Sequence, residues 1–422
     1  MRRVWKCCRP PWYLAILICA GVQAQPRAWE PLGPEGGRIV SIAQHPTDVQ
    51  VMLVLTYGYP TQVFKSTNRG SAWSRLSTIN DYVHSLRINP VTPSTIYACG
   101  NYYFHRSTDG GLTWTRSTFP SGYYSYDLAV DPSNPAILHA SCDANDGSKW
   151  VPGYAKSTNG GAAWTGQMLG TEGGACLGIT LDGVSPTTIY LGGYQYVGSS
   201  YSTRFYRSTD GGVSFVERSG TMTGVYIYDV QADPVNAGKV YAATAGGVYR
   251  STNRGETWTI NSGYFPTAYR FAISRANPSV LFAATTSGIP YRSTDGGANW
   301  TSVGTGVTGS GYEAMHVESG ANPYVFLGNN SGIFRTTNNG TSWQSSCSGI
   351  NCASITALRN APSAQATLYA AFLNNAVYKT TTASSATVTW QRIPDFYSCV
   401  SVEDFAISAA NPDKLYAMEG GT

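Results

Sequence analysis

One eight-residue phrase recurs along this chain and limits its architecture more than any other feature. The clearest copy is Ser107-Thr108-Asp109-Gly110-Gly111-Leu112-Thr113-Trp114. Others run Ser66–Trp73, Ser157–Trp164, Ser208–Phe215, Ser251–Trp258, Ser293–Trp300 and Thr336–Trp343. An eighth, from Thr380 to Trp390, has lost its acid and its glycines. Successive starts are 41, 50, 51, 43, 42, 43 and 44 residues apart. A unit of that length cannot bury its own apolar face, so the copies must stack on one another.

A second element precedes each octet. It is an alternating run, a Pro-containing turn and another apolar run, as in Leu128-Ala129-Val130-Asp131-Pro132 followed by Ile137-Leu138-His139-Ala140. Each unit therefore predicts strands A and B around the Pro turn, then C and D around the octet. The 46 Gly and 29 Tyr, with only 12% charged residues, suit such a turn-rich all-β chain. The expected fold is an all-β β-propeller of four-stranded antiparallel blades with octets on the C–D hairpins. The sequence holds nine A–B halves and eight octets, giving eight to nine repeats. The chain stops after Leu415-Tyr416-Ala417-Met418, where a third strand is due, which reads as truncation at the C-terminus. The expected division is a leader over 1–24 and a propeller of about seven blades over 25–345. Residues 346–422 then continue the same ring or start a second one.

The leader has a basic start, an apolar stretch from Trp12 to Ala20 and a Val22-Gln23-Ala24 cleavage-like site. It reads as a secretory signal peptide, too short to span a bilayer, and predicts an extracellular or periplasmic protein. Arg2, Arg3, Lys6 and Arg9 lie within it, and removing these four from the 28 basic residues leaves them equal in number to the 24 acids. A mature chain without net charge argues against nucleic acid or an anionic membrane as partner. Six cysteines remain after the leader: Cys99, Cys142, Cys176, Cys347, Cys352 and Cys399. Six cysteines allow fifteen connectivities; only Cys347 and Cys352 are close enough in sequence to suggest a small loop closure. No metal-ligand spacing and no cofactor motif occurs, so neither is expected. The oligomeric state stays open.

The octets resemble the Asp-box, or BNR repeat, of sialidases, xyloglucanase-type glycoside hydrolases, sortilin ectodomains and photosystem II assembly factors. The resemblance spans the repeats over residues 29–419 and implies a propeller whose boxes lie away from the active face. The residues suit a structural role. Asp and Asn side chains bond nearby backbone N–H groups, Gly supplies positive φ, and the Trp is expected to pack the hairpin onto its blade. The box positions are Asn68, Asp109, Asn159, Asp210, Asn253, Asp295 and Asn338. Four of them are amides, and an amide cannot be a general acid. The resemblance also shows departures. The sialidase Arg-Ile-Pro element is missing, since Arg38-Ile39-Val40 leads into Ser41. Xyloglucanase-type enzymes carry a catalytic Asp where Thr56-Tyr57-Gly58-Tyr59 has Tyr57.

Antiparallel strands put the octets and the short Pro turns at one end of the blades. All length variation falls at the other end, in the B–C and D–A loops. These carry Tyr57 and Tyr59, Tyr102 to Phe104, Tyr123 to Tyr126, Tyr264 and Phe265, and two long segments at 143–154 and 194–205. Aligned A strands add a column before the first core residue: Ser41, Ser85, Asp127, Gly178, Asp229, Arg270, Glu313, Thr356 and Asp404. Candidate ligand-binding residues are Asp127, Asp229, Arg270, Glu313, Trp150, Tyr196 and Tyr124. No sequence-local pair of carboxylates suggests glycoside hydrolysis. The expected function is a secreted, non-catalytic propeller binding a polysaccharide or a protein surface. A glycoside hydrolase, or a repeat scaffold of a larger surface protein, is the alternative.

Overall fold

Each repeat folds into four antiparallel strands joined in sequence order, as the alternating pattern requires. In the first blade, strands A to D are Ile39–Gln44, Met52–Thr56, Thr61–Ser66 and Ser74–Ile79. The A strands of blades two to seven are Ser85–Ile88, Tyr123–Val130, Gly174–Leu181, Ile227–Ala232, Ala268–Ile273 and Ala314–Val317. The computed structural model describes residues 37–422 apart from 223–225, 261–264, 287–288, 310, 312–313, 319–322, 348–354, 362–363, 373–376, 383–389, 394–401, 408–414 and 420–422. Among the described residues no helix is long and apolar enough to cross a membrane.

Every A strand packs beside the next, and that of blade seven packs beside that of blade one. The propeller therefore has seven blades, which corrects the count of eight to nine repeats. The physical reason lies at the seam. Ile39, Val54, Phe64 and Trp73 share one core with Ala314, Phe326 and Ile333, so no further blade fits between them. Polar contacts lock the same seam. Glu318, almost fully buried, accepts from Arg69 Nε at 2.9 Å, from the Arg69 NH2 group and from Tyr324 N at 3.0 Å. Ile355–Ala361, Ala364–Phe372, Val377–Thr380 and Gln391–Arg392 make a further four-stranded sheet outside the ring. Val402–Ile407 pairs with Leu415–Glu419 and packs on that sheet.

The octets sit between strands C and D. In the second blade Ser107 Oγ donates to Asp109 Oδ1 at 2.7 Å, and Gly111 N donates to Ser107 Oγ at 2.8 Å. Thr113 N donates to Asp109 Oδ1 at 3.0 Å. In the first blade Ala72 N reaches Asn68 Oδ1 at 2.8 Å in the same way. Oδ1 is the acceptor that Asp and Asn share, and Asp109 Oδ2 accepts a further bond from Thr113 Oγ1 at 2.5 Å. The terminal aromatic packs in the core between its own blade and the preceding one, so it reaches further than expected. Trp164 lies against Phe104 at 5.1 Å, Phe215 against Tyr154 at 4.7 Å and Trp258 against Phe205 at 4.7 Å between ring centroids. The core thus lies between blades, and the octets fasten one blade to the next.

Candidate functional site

The A strands bring their polar column to the central channel through a repeated distortion. In blade one Ile39 pairs with Thr56 and Ser41 with Leu55, leaving Val40 as an extra residue. The same bulge recurs at Tyr126, Leu177, Tyr228 and Tyr269. A bulge re-aims the side chain that follows it. Ser41, Ser85, Asp127, Asp229 and Arg270 line one cavity. Gly178 holds the same register in blade four. An added Cβ there would stand 3.0 Å from Val230 N, so the neighbouring blade admits no side chain. In blade seven the residue paired as Ser41 is paired is Ala314, opposite Gly328. Glu313 lies outside the described residues. In the outer sheets the equivalent registers fall on Ala357 and Asp404, with Thr356 at the bulge.

Column residues also stitch neighbouring blades. Leu86 N donates to Ser41 Oγ at 3.1 Å, Ser85 Oγ to Asp127 Oδ1 at 2.7 Å, and Phe271 N to Asp229 Oδ2 at 3.2 Å. Arg87 NH2 pairs with Asp127 Oδ1 at 2.6 Å. Asp229 is only 4% exposed, and burial pushes its carboxyl up to about 6, while the Arg270 guanidinium pulls it back. Gln231 Nε2 donates to Asp229 Oδ1 at 3.2 Å. Arg270 NH1 donates to Tyr228 O at 2.7 Å and Tyr269 O at 3.2 Å, and no carboxylate among the described residues comes within ion-pair distance. The structure therefore places Asp127 and Asp229, two blades apart, on one cavity, a meeting that their sequence separation hides.

Around the channel mouth lies a pavement of tyrosines at the end opposite the octets. Tyr196, Tyr201, Tyr226, Tyr228 and Tyr269 form a continuous run with successive centroids 4.2, 4.4, 5.8 and 4.4 Å apart. Tyr194 packs on Tyr226 at 4.5 Å. On the other side of the mouth Tyr124 meets Tyr102 at 5.6 Å and Tyr126 at 5.1 Å, and Tyr82 meets Tyr57 and Tyr59. Tyr126 and His84 line the cavity as well, so pavement and channel meet. The segments at 143–154 and 194–205, expected as loops, are mostly strand. Leu138–Asn145 pairs with Trp150–Ser157, and Ile189–Val197 with Ser200–Ser208, as lengthened B–C hairpins. Cross-strand pairing is what puts Tyr196 opposite Tyr201. Trp150 is exposed at its hairpin tip, outside the stacked rings. Phe104 and Phe265 point into inter-blade cores instead of the pavement, and Tyr264 lies outside the described residues.

Sequence reasoning missed several neighbours. Arg87 and Gln231 stand two residues beyond Ser85 and Asp229, and the period-two rule puts them on the same strand face. Asp143 had no such signal. Tyr126 OH donates to its Oδ2 at 3.1 Å, its Oδ1 is buried with no partner among the described residues, and burial pushes its carboxyl up to about 6. Cys99, Cys142 and Cys176 are buried free thiols whose ionisation burial suppresses. Cys352 and Cys399 lie outside the described residues, and with Cys352 the suggested loop closure. Among the described residues no group of three or more His, Cys, Asp or Glu could hold a metal ion.

Four-stranded antiparallel blades ringed about a channel define the chain as a β-propeller. No family model matches it, and no curated protein matches it. Solved structures do. The GH74 enzyme of Niastella koreensis is 19% identical, with 93% of this chain and 71% of that chain covered and a TM-score of 0.62. The GH74 xyloglucanase of Xanthomonas campestris is 17% identical, covering 91% and 72%, with a TM-score of 0.65. YCF48 bound to D1 peptide is 14% identical, covering 74% and 96%, with a TM-score of 0.51. At such identities the likeness carries the fold alone.

Proposed function

We propose that this chain is a secreted, non-catalytic propeller that binds a polysaccharide on its tyrosine-paved face. One observation carries the reading: a run of stacked tyrosines from three successive blades borders the channel mouth. Tyrosine offers a flat apolar ring to the face of a sugar and a hydroxyl to its rim. The octets fasten blades at the opposite end, and the export leader would bring the protein to extracellular or periplasmic glycans. The test is a polysaccharide binding panel with the mature protein and with Tyr201→Ala and Tyr228→Ala. Both variants should lose binding while keeping their thermal midpoints. Undiminished binding would refute the reading.

A second reading, glycoside hydrolysis, draws on Asp127 and Asp229 sharing one cavity and on the high pKa of Asp229, as a general acid requires. Two GH74 enzymes among the neighbours lend it analogy. Against it, Asp127 is already tied to Arg87 and Ser85, and Tyr57 replaces the acid that the xyloglucanase-type pattern needs. Turnover of any glycan that disappears in Asp229→Asn would favour it. Capture of a peptide, as YCF48 captures the D1 peptide, would instead favour a protein partner.

A further inference from the structure

We propose that Tyr196 and Tyr201 are a site of oxidative cross-linking, at which a haem peroxidase and hydrogen peroxide join the two rings into a dityrosine that staples the long hairpin of blade four. The proposal stands on the geometry of that hairpin and not on the carbohydrate reading. Ile189–Val197 and Ser200–Ser208 stay paired to their tip, with Val197 opposite Ser200 and Tyr196 opposite Tyr201. Gly198 turns the chain there with a φ of 64°, in the left-handed region. Residues directly opposite share one face of the hairpin, so the two rings meet at 4.2 Å between centroids, tilted by 43°. They are the closest pair in the pavement. The Tyr196 hydroxyl donates to the Tyr201 oxygen. Both side chains are open to a bulky oxidant, with 41% and 40% of their surface exposed.

Dityrosine forms when the ring carbons beside two phenol oxygens bond to each other. The two oxygens remain neighbours in the product, so a pair whose hydroxyls already share a hydrogen bond is arranged as the product is. Other pairs lack one requirement. Tyr228 and Tyr269 stack face to face at 13°, and Tyr102 meets Tyr124 edge-on at 83°. Tyr57 and Tyr59 stand 5.8 and 5.4 Å from Tyr82. Tyr226 lies 4.4 Å from Tyr201 but is partly buried. Hydrogen bonds from Tyr196 and Tyr226 hold the Tyr201 phenol below its ordinary value, which favours the phenolate, the form that gives up an electron most readily. In the reaction, hydrogen peroxide takes one electron and one proton from each phenol and becomes two water molecules. The two phenoxyl radicals couple through their ortho carbons. Each ortho hydrogen then moves to its own oxygen and restores the aromatic ring, so the chain loses two hydrogen atoms in all. The export leader would bring the hairpin to an oxidising compartment.

The experiment treats the full mature chain with a haem peroxidase and limiting hydrogen peroxide. The expected product shows the blue fluorescence of a biphenol and an intact mass lower by two hydrogen atoms. Its tryptic peptide should give no fragment ions between Tyr196 and Tyr201, because the new bond holds that loop together. Tyr196→Phe and Tyr201→Phe each remove one phenol oxygen and keep the ring, so both should fold with the parent's thermal midpoint and lose most of the product. Tyr82→Phe, which alters another exposed tyrosine with two aromatic neighbours, should leave the yield unchanged. Undiminished product in Tyr196→Phe or Tyr201→Phe would overturn the assignment. So would a main product mapped to Tyr201 and Tyr226, to Tyr57, Tyr59 or Tyr82, or to a bond between two chains. Absence of any biphenol from the treated, folded parent would overturn it as well.

Discussion

Replacing Asp229 by Asn should make the protein more stable at neutral pH. The carboxyl is 4% exposed and burial lifts it from 3.8 to about 6. That difference corresponds to about 3 kcal/mol against the folded state once the group is ionised. The sign follows from linkage. The unfolded chain releases this proton near its ordinary value, and the folded chain holds it until about 6. Stability therefore falls as pH rises through that window and the loss is complete above it. Asn removes the charge but also the attraction of Arg270, and it keeps one acceptor oxygen for Phe271 N or Gln231. The net gain is then about 1–2 kcal/mol. Urea unfolding at about pH 4 and pH 7.5 measures it. The gain should be present at the higher pH and small at the lower. A variant less stable than the parent at pH 7.5, or a gain equal at both pH values, would refute the reasoning. A carboxylate kept at such cost suits a group held for a ligand rather than for the fold.

The seam and the octets give further tests. Glu318→Ala removes the buried partner of Arg69 and the acceptor for Tyr324 N; because Arg69 is 26% exposed and can rehydrate, the loss should be about 2–3 kcal/mol in urea unfolding, below the full cost of a broken buried pair. Gly161→Ala should destabilise strongly, since its φ is 85° and an added Cβ would lie 1.9 Å from the Phe104 ring of the preceding blade; a thermal midpoint within a degree or two of the parent would contradict the octet's role between blades. Asp109→Ala should lower the thermal midpoint and Asp109→Asn should lower it less, because Asn keeps the Oδ1 bond that Asn68 makes in the first blade but loses the Oδ2 acceptor of Thr113 Oγ1. Glycan binding should survive both octet variants.

The sequence alone determined the local chemistry of this protein. The octet states its own hydrogen bonds, because Ser, Asp or Asn, and Gly lie within five residues of one another and need no distant partner. Period-two alternation settled the four antiparallel strands and the end of the blade at which variable aromatics collect. Tertiary structure decided what depends on neighbouring blades. Seven blades close because Ala314 meets Ile39 at the seam, a contact between residues far apart in sequence. Strand pairing across the blade puts Ala314, opposite Gly328, at the column position in blade seven. The octet tryptophans fasten the preceding blade, and Tyr228 stacks on Tyr269, because blade stacking brings side chains some forty residues apart into contact. Asp127 and Asp229 share a cavity for the same reason: strand A is innermost in every blade, and closing the ring turns a column read along the sequence into a circle of side chains facing one channel.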